Sequence, residues 1–190
     1  MKHVQERVKK ANAAVRQVWG IGERIFIANS RKGMLMFDYL IKGILLYGVE
    51  LFGWKERMEI EAMQIKYIKW CLGLDRCTPS YIVLQETNRD KIRIEAGRRV
   101  LKYEEGVRME GRSNLLKECL KEKNARINET WWEKERIEYM RRNEWSQSGV
   151  EQLRAERKDI GKILSDRDRE IQGQEQINRI KEAKYNRVYI

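Results

Sequence analysis

Hydrophobic positions along the chain follow helical spacings and are densest in one short block. From Met34 to Trp54, aliphatic and aromatic residues fall on every side of a helical wheel, which predicts a segment buried on most sides. We expect one long helix there, with an interruption at Gly43 or Gly48. The next segment, Glu56–Leu74, predicts an amphipathic helix because its apolar residues recur at steps of three and four: Ile60, Met63, Tyr67, Trp70 and Leu74.

Turn and capping residues predict the other helices of the first half. A first helix is expected from Val4 to Trp19, ending at Gly20 and followed by a turn region over Ile21–Ser30. Thr78 and Pro79 predict another helix start, with a capping hydroxyl followed by proline at the first helical position. With only one proline in 190 residues, the chain favours helices joined by short turns.

Charge density rises along the second half while the apolar stripe thins. Lys91–Arg108 predicts a further helix, and Ser113 is a candidate cap for the next. Residues 1–95 carry 17 basic and 11 acidic side chains against 23 and 18 in residues 96–190, so net charge divides almost evenly, at +6 and +5. We therefore predict an all-α fold, with a helical core bundle over residues 1–95 and long charged helices over residues 96–190.

The overall charge of +11, with a pI near 9.6, permits binding to a polyanion through phosphate neutralisation. A solvated charged surface explains the same composition equally well, and the sequence leaves both interpretations open. Tyr67 and Trp70 could stack on bases, although burial in the core is the favoured interpretation for both. The candidate phosphate contacts are Lys66, Lys69, Arg98 and Arg99.

The sequence argues against catalysis by this chain alone. No two aspartates are adjacent, Asp38 is better interpreted as a satisfied helix residue than as a metal ligand, and Asp166 and Asp168 lie in a charged, solvated stretch. His3 is the only histidine, so Cys71 has no nearby base in sequence and is predicted to pack in the core. No glycine-rich phosphate loop occurs either.

We also expect no metal, no cofactor and no membrane span. The three cysteines form no CxxC pair, which makes a structural zinc site improbable. The longest uncharged run, Cys77–Gln85, covers nine residues, too few to cross a bilayer. An odd cysteine count without a secretory leader predicts an intracellular protein, in the nucleus or the cytoplasm.

An ordered series of short strings resembles one protein family. It is similar to a stretch of non-LTR (LINE-type) retrotransposon polyproteins, those of insects in particular, that lies just after the reverse transcriptase palm. The matching segments span most of the chain: Ala11–Val15, Val18–Arg24, Ile44–Glu50 with Gly53 and Trp54, Gln64–Leu74, Thr78–Val83, Glu95–Arg99 and Glu182–Arg187.

The resemblance implies the helical thumb of the polymerase and the linker that follows it. In that family the thumb packs beside the palm and grips the template–primer backbone, whereas the catalytic carboxylates belong to the palm, and no position here matches them. The expectation is a severed, catalytically inert segment with at most non-specific affinity for RNA or RNA–DNA duplex. Apolar surface that would otherwise face a palm could make it self-associate.

A second hypothesis is a helical structural or protein-interaction module with no nucleic-acid role. Its contact face would combine the apolar residues of the charged half, namely Trp131, Trp132, Ile137, Met140, Ile177 and Ile180.

Overall fold

The computed structural model describes residues 2–25, 29–108 and 130–183, together with residues 114, 115, 118, 119 and 122. These residues contain helices and turns and no β-strand, so the predicted all-α fold is confirmed. The candidate cap at Ser113 lies outside the described residues.

The chain forms two compact units that interleave along the sequence. Unit 1 comprises Met1–Tyr47, Arg57–Ile92 and Gln172–Ile190, and unit 2 comprises Gly48–Glu56 and Arg93–Ile171. These units follow spatial contacts, whereas the division into residues 1–95 and 96–190 follows charge density and stays a prediction.

Helix α1 runs over Lys2–Ile25 and is longer than predicted. The prediction that it ends at Gly20 is wrong, because the helix continues through Gly20 and Gly22. Glycine inside a helix costs only about 1 kcal/mol relative to alanine. Gly22, in the additional turn, is buried.

The apolar block is folded as a helical run that ends at a glycine turn. Helix α2 (Ser30–Met36), a π-helical turn (Phe37–Ile41) and helix α3 (Lys42–Leu45) follow one another directly. Gly48 then adopts φ +72°, a left-handed conformation that glycine tolerates best, and a 3₁₀ turn follows at Val49–Leu51. Of the two predicted interruptions, the one at Gly48 is therefore confirmed.

The block is amphipathic, so the prediction that it is buried on most sides is wrong. Its buried side chains are Phe37, Ile41, Leu45, Leu46, Val49, Phe52 and Trp54, whereas Leu35, Tyr39, Leu40, Tyr47 and Leu51 are exposed. Asp38, in the middle of the block, forms a two-pronged salt bridge with Arg89 at 2.9 and 2.6 Å. Asp38 is thus the satisfied helix residue that the sequence predicted.

Helix α4 (Met58–Cys71) confirms the predicted amphipathic helix, but it ends three residues earlier than predicted. The prediction that Leu74 belongs to its buried stripe is wrong, because Leu74 lies beyond the helix and is 39% exposed. Gly73, at φ +62°, follows its end. Helix α5 (Ser80–Thr87) begins one residue later than predicted, with Pro79 rather than Thr78 as its N-cap residue. Thr78 belongs to the preceding turn instead, where its N–H donates to the carbonyl of Asp75 at 3.1 Å.

Unit 2 is organised around buried Trp54. Helix α6 (Ile92–Arg108), helix α7 (Trp131–Arg142), helix α8 (Gln147–Ala155) and helix α9 (Ile160–Glu182) surround this residue with one apolar cluster. The Trp54 ring lies 5.2 Å from that of Tyr139 and 5.8 Å from that of Trp132, between ring centroids. The cluster is completed by Val100, Leu101, Met140, Val150, Leu153, Ile160 and Leu164.

Helix α9 carries a buried stripe whose central members are polar. Its buried positions recur every four residues and are Ile160, Leu164, Asp168, Gln172, Gln176 and Ile180. In unit 2, Asp168 accepts a hydrogen bond from Arg142 at 3.2 Å and forms a salt bridge with Arg93 at the same distance. In unit 1, Gln172 accepts from the N–H of Lys91 at 2.7 Å and donates to the carbonyl of Arg89 at 3.2 Å. The expectation that Asp168 is solvated is therefore wrong.

Replacing Gly97 by alanine should destabilise the protein. An added Cβ would lie 2.6 Å from the hydroxyl of Tyr139 and 2.8 Å from two of its ring carbons, and this ring is fixed in the core. We expect a loss of about 1–3 kcal/mol in the free energy of unfolding, measured by urea denaturation. Gly173→Ala is the matched control, because no atom lies within 4 Å of its added Cβ. That variant should gain about 0.5–1 kcal/mol, and losses of the same size in both would contradict the packing at Gly97.

Candidate nucleic-acid interface

Net charge is concentrated in unit 1. Its segments contain 19 Lys and Arg residues against 10 Asp and Glu, a net charge of +9. Those of unit 2 contain 21 against 19, a net charge of +2. The excess of positive charge therefore lies mainly in unit 1.

Two grooves lie where α1 and α4 pack together in unit 1. Lys9 and Arg16 of α1 line the first, together with Glu59 at the start of α4. Lys66 and Lys69 of α4 line the second. We refer to Lys9, Arg16 and Lys66 as the seam cations; all three are exposed, and none forms a salt bridge with another described residue.

The second groove has aromatic side chains beside its cations. The Trp19 and Trp70 rings stack with centroids 4.6 Å apart and planes 18° from parallel, and Trp19 remains 41% exposed. Tyr67 is buried, and its hydroxyl donates to the carbonyl of Gly33 at 2.9 Å, so its predicted place in the core is confirmed. Trp70 is only half-buried. Its position is therefore intermediate between the two interpretations given for it, burial in the core and an exposed ring that could stack on bases.

Lys69 also organises the turn that follows α4. Its ammonium donates to the carbonyl of Arg76 at 2.7 Å, and Arg76 itself lines the second groove. Asp75 is the acidic neighbour. Its carboxylate accepts from the N–H of Cys77 at 2.6 Å, and this bond is the main cause of a pKa below the usual value for aspartate. The groove therefore carries three cations, while one ionised carboxylate lies nearby.

Arg98 and Arg99, the other two predicted contacts, belong to unit 2 and share one carboxylate. Both guanidinium groups donate to Glu95 at 3.0 Å. The hydrogen bonds to Glu95 raise the pKa of Arg98. Glu95 thus offsets one of their two positive charges, whereas the seam cations form no salt bridge with a described residue.

The same compensation extends across the surface of unit 2. Most of its described arginines form salt bridges with glutamate or aspartate: Arg93, Arg98, Arg99, Arg108, Arg136, Arg141, Arg142, Arg154, Arg167 and Arg169. Paired arginines add little net field for a phosphate to respond to. Trp19, Lys9, Arg16 and Arg76 were not predicted from the sequence. The run of cations on α1 was a signal for Lys9 and Arg16, whereas Arg76 lies in the turn after α4.

Two further features of the described residues bear on chemistry, namely metal-ligating side chains and the Cys71 thiol. No group of three or more His, Cys, Asp and Glu side chains in these parts of the chain is arranged to hold a metal ion. Cys71 is half-buried on α4, and burial raises the pKa of its thiol despite a hydrogen bond with Tyr67. Burial likewise raises the pKa of Tyr67. Both groups are thus held in their neutral forms, which suits packing rather than nucleophilic attack.

None of the helices in the described segments is long and apolar enough to cross a bilayer. Comparison of the chain with models of known protein families, with curated proteins and with solved structures finds no match.

Proposed function

We propose that this chain is the thumb-and-linker segment of a non-LTR retrotransposon reverse transcriptase, and that it binds template–primer backbone without sequence specificity. The ordered strings of the resemblance support the family, and an all-α fold agrees with a helical thumb. On this proposal the chain alone is catalytically inert, because the palm supplies the carboxylates that hold the metal ions.

The observation that carries the binding proposal is the uncompensated charge of unit 1. A net charge of +9 on that unit, with exposed seam cations along two packed helices, provides donors for successive phosphates. Base-specific contacts need side chains held rigidly against base edges, whereas long lysine and arginine side chains at a surface serve the backbone. Affinity should therefore be electrostatic and indifferent to sequence.

Binding to a fluorescein-labelled RNA–DNA hybrid should weaken steeply as salt rises. Each neutralised phosphate contributes about 0.9 to the slope of log affinity against log salt, so three to five contacts predict a slope of about −3 to −5. Fluorescence anisotropy from 50 to 300 mM salt measures this slope, and two hybrids of unrelated sequence should give the same values.

Affinity that does not change with salt, or no binding at 50 mM salt, would refute the proposed function. A large difference between the two hybrids would contradict the claim of sequence independence.

A protein-interaction role is the second candidate, and the exposed apolar face of the Met34–Trp54 block favours it. Leu35, Tyr39 and Leu40 are exposed on successive turns of α2 and the π-helical segment. The face proposed from the charged half is not continuous, because Met140 and Ile180 are buried. Concentration-dependent sedimentation without any binding of the hybrid would support this candidate over the first.

A further inference from the structure

The second groove, between α1 and α4, has the dimensions of a small-ligand site. Its volume is about 670 Å³, within the range of about 300–1,000 Å³ typical of such sites. Buried Met63 and Tyr67 contribute to its lining, and Tyr67 is fixed by its hydrogen bond to Gly33.

A stacked pair of indole rings lines this groove. Trp70 is held between Trp19, which stacks on it, and Tyr67, whose ring meets it edge-on at 5.2 Å between centroids. Trp19 keeps 41% of its surface exposed in this stack. Nucleobases stack on exposed indole rings of this kind, with little dependence on base identity.

Positive charge surrounds the same surface. Lys66, Lys69 and Arg76 line the groove, and Lys69 is oriented by its bond to the Arg76 carbonyl. Helix α5 begins at Ser80, another lining residue, with no side chain capping its first turn. The helix dipole therefore adds to the potential of the three cations, partly offset by Asp75.

We propose that this groove binds an unpaired nucleotide stretch, with a base stacked on the Trp19–Trp70 pair and its phosphates on Lys66 and Arg76. The inference rests on the proposed nucleic-acid role and adds that this groove takes a single-stranded segment. A paired base is already stacked inside its duplex and offers no face to an indole, so only a single-stranded segment can use the aromatic surface and the cations together. RNA and DNA present the same two features, and both fit.

Trp19→Leu tests the stacking contact because leucine preserves apolar bulk and removes the flat ring. Anisotropy is measured on labelled 12-residue oligo(U) and oligo(dT), and on an RNA–DNA hybrid of the same length. We expect Trp19→Leu to weaken both single strands by about 5- to 100-fold and to leave hybrid affinity within twofold of the original protein. Trp19→Phe should restore most of the loss, and the single strands should quench the indole fluorescence of the unmodified protein.

Trp131→Leu is the matched control, because Trp131 is 59% exposed and belongs to unit 2. Equal losses for Trp19→Leu and Trp131→Leu, or an equal loss on the hybrid, would overturn the groove proposal. The hybrid could bind with the expected salt slope while single strands neither quench the indole fluorescence nor lose affinity in Trp19→Leu. That result would overturn the groove proposal and leave the template–primer proposal standing. Single strands that bind as described without any hybrid binding would overturn the template–primer proposal, and absence of all binding would overturn both.

Discussion

Replacing Asp168 by asparagine should lower the free energy of unfolding by about 3–5 kcal/mol, because it removes one partner of a buried salt bridge. The Asp168 side chain is 0% exposed, and its carboxylate lies 3.2 Å from guanidinium nitrogens of both Arg93 and Arg142. Arg93 is itself only 3% exposed and has Glu56 as its second acidic partner at 2.7 Å. The amide of asparagine keeps the shape and removes the charge, which leaves excess positive charge where water cannot screen it.

Asp166→Asn is the matched control for this prediction. Asp166 belongs to the same helix, two residues away, but it is 48% exposed and pairs with Arg169 across one helical turn. Exposed pairs of this spacing contribute about 0.3–0.5 kcal/mol. Urea denaturation followed by circular dichroism at 222 nm should thus separate the two variants by at least about 2 kcal/mol. Indistinguishable midpoints would contradict the buried placement of Asp168.

Asp166 and Asp168 also show that the spacing of apolar residues does not predict which polar residues of a helix are buried. A helix pattern is recognised when its buried side is apolar, as in α4, where Ile60, Met63 and Tyr67 are buried as predicted. The buried stripe of α9 has the same regular spacing, yet its central residues are polar. Burial of an aspartate depends on arginines that come from α6 and α7, far away in sequence, and no local pattern reports them.

The sequence predicted backbone geometry correctly at positions where one glycine determines it. It did not predict the end of a helix that depends on packing. Gly48 and Gly73 adopt positive φ angles at the ends of helical segments, as glycine at such positions indicates. Gly20 carries the same local signal, but the helix continues through it. Gly22, in the additional turn, is buried, and burial is a property of the fold that the local sequence does not report.

Only part of the candidate site could be predicted, because the rest depends on which segments of the chain lie together in space. Lys66 and Lys69 were identified from the polar side of a well-predicted helix, and both line the groove. Division of the chain at residue 95 gave two halves of nearly equal charge, whereas the spatial units differ, at +9 and +2. The asymmetry is invisible in sequence order because unit 1 draws its segments from three parts of the chain.

Two triple variants that remove the same number of charges should differ strongly in nucleic-acid binding. Replacing the seam cations, Lys9, Arg16 and Lys66, by glutamine removes cations that form no salt bridge with a described carboxylate. Up to three phosphate contacts are lost, so the salt slope on the RNA–DNA hybrid should become shallower by about 2–3, and affinity at 0.1 M salt should fall on the order of a hundredfold or more. Anisotropy titrations at four salt concentrations measure both quantities.

The companion variant replaces Arg98, Arg99 and Arg141 by glutamine, so both proteins have a net charge of +8 instead of +11. These three arginines pair with Glu95 and Glu138 on their own helices, and we expect the slope to change by less than about one. Equal losses in the two variants would mean that affinity follows net charge alone and that unit 1 holds no defined interface. A larger loss of affinity in the companion variant would instead assign the phosphate contacts to unit 2. Both variants remove three charges, so a difference between them reports the position of those charges and their salt-bridge partners.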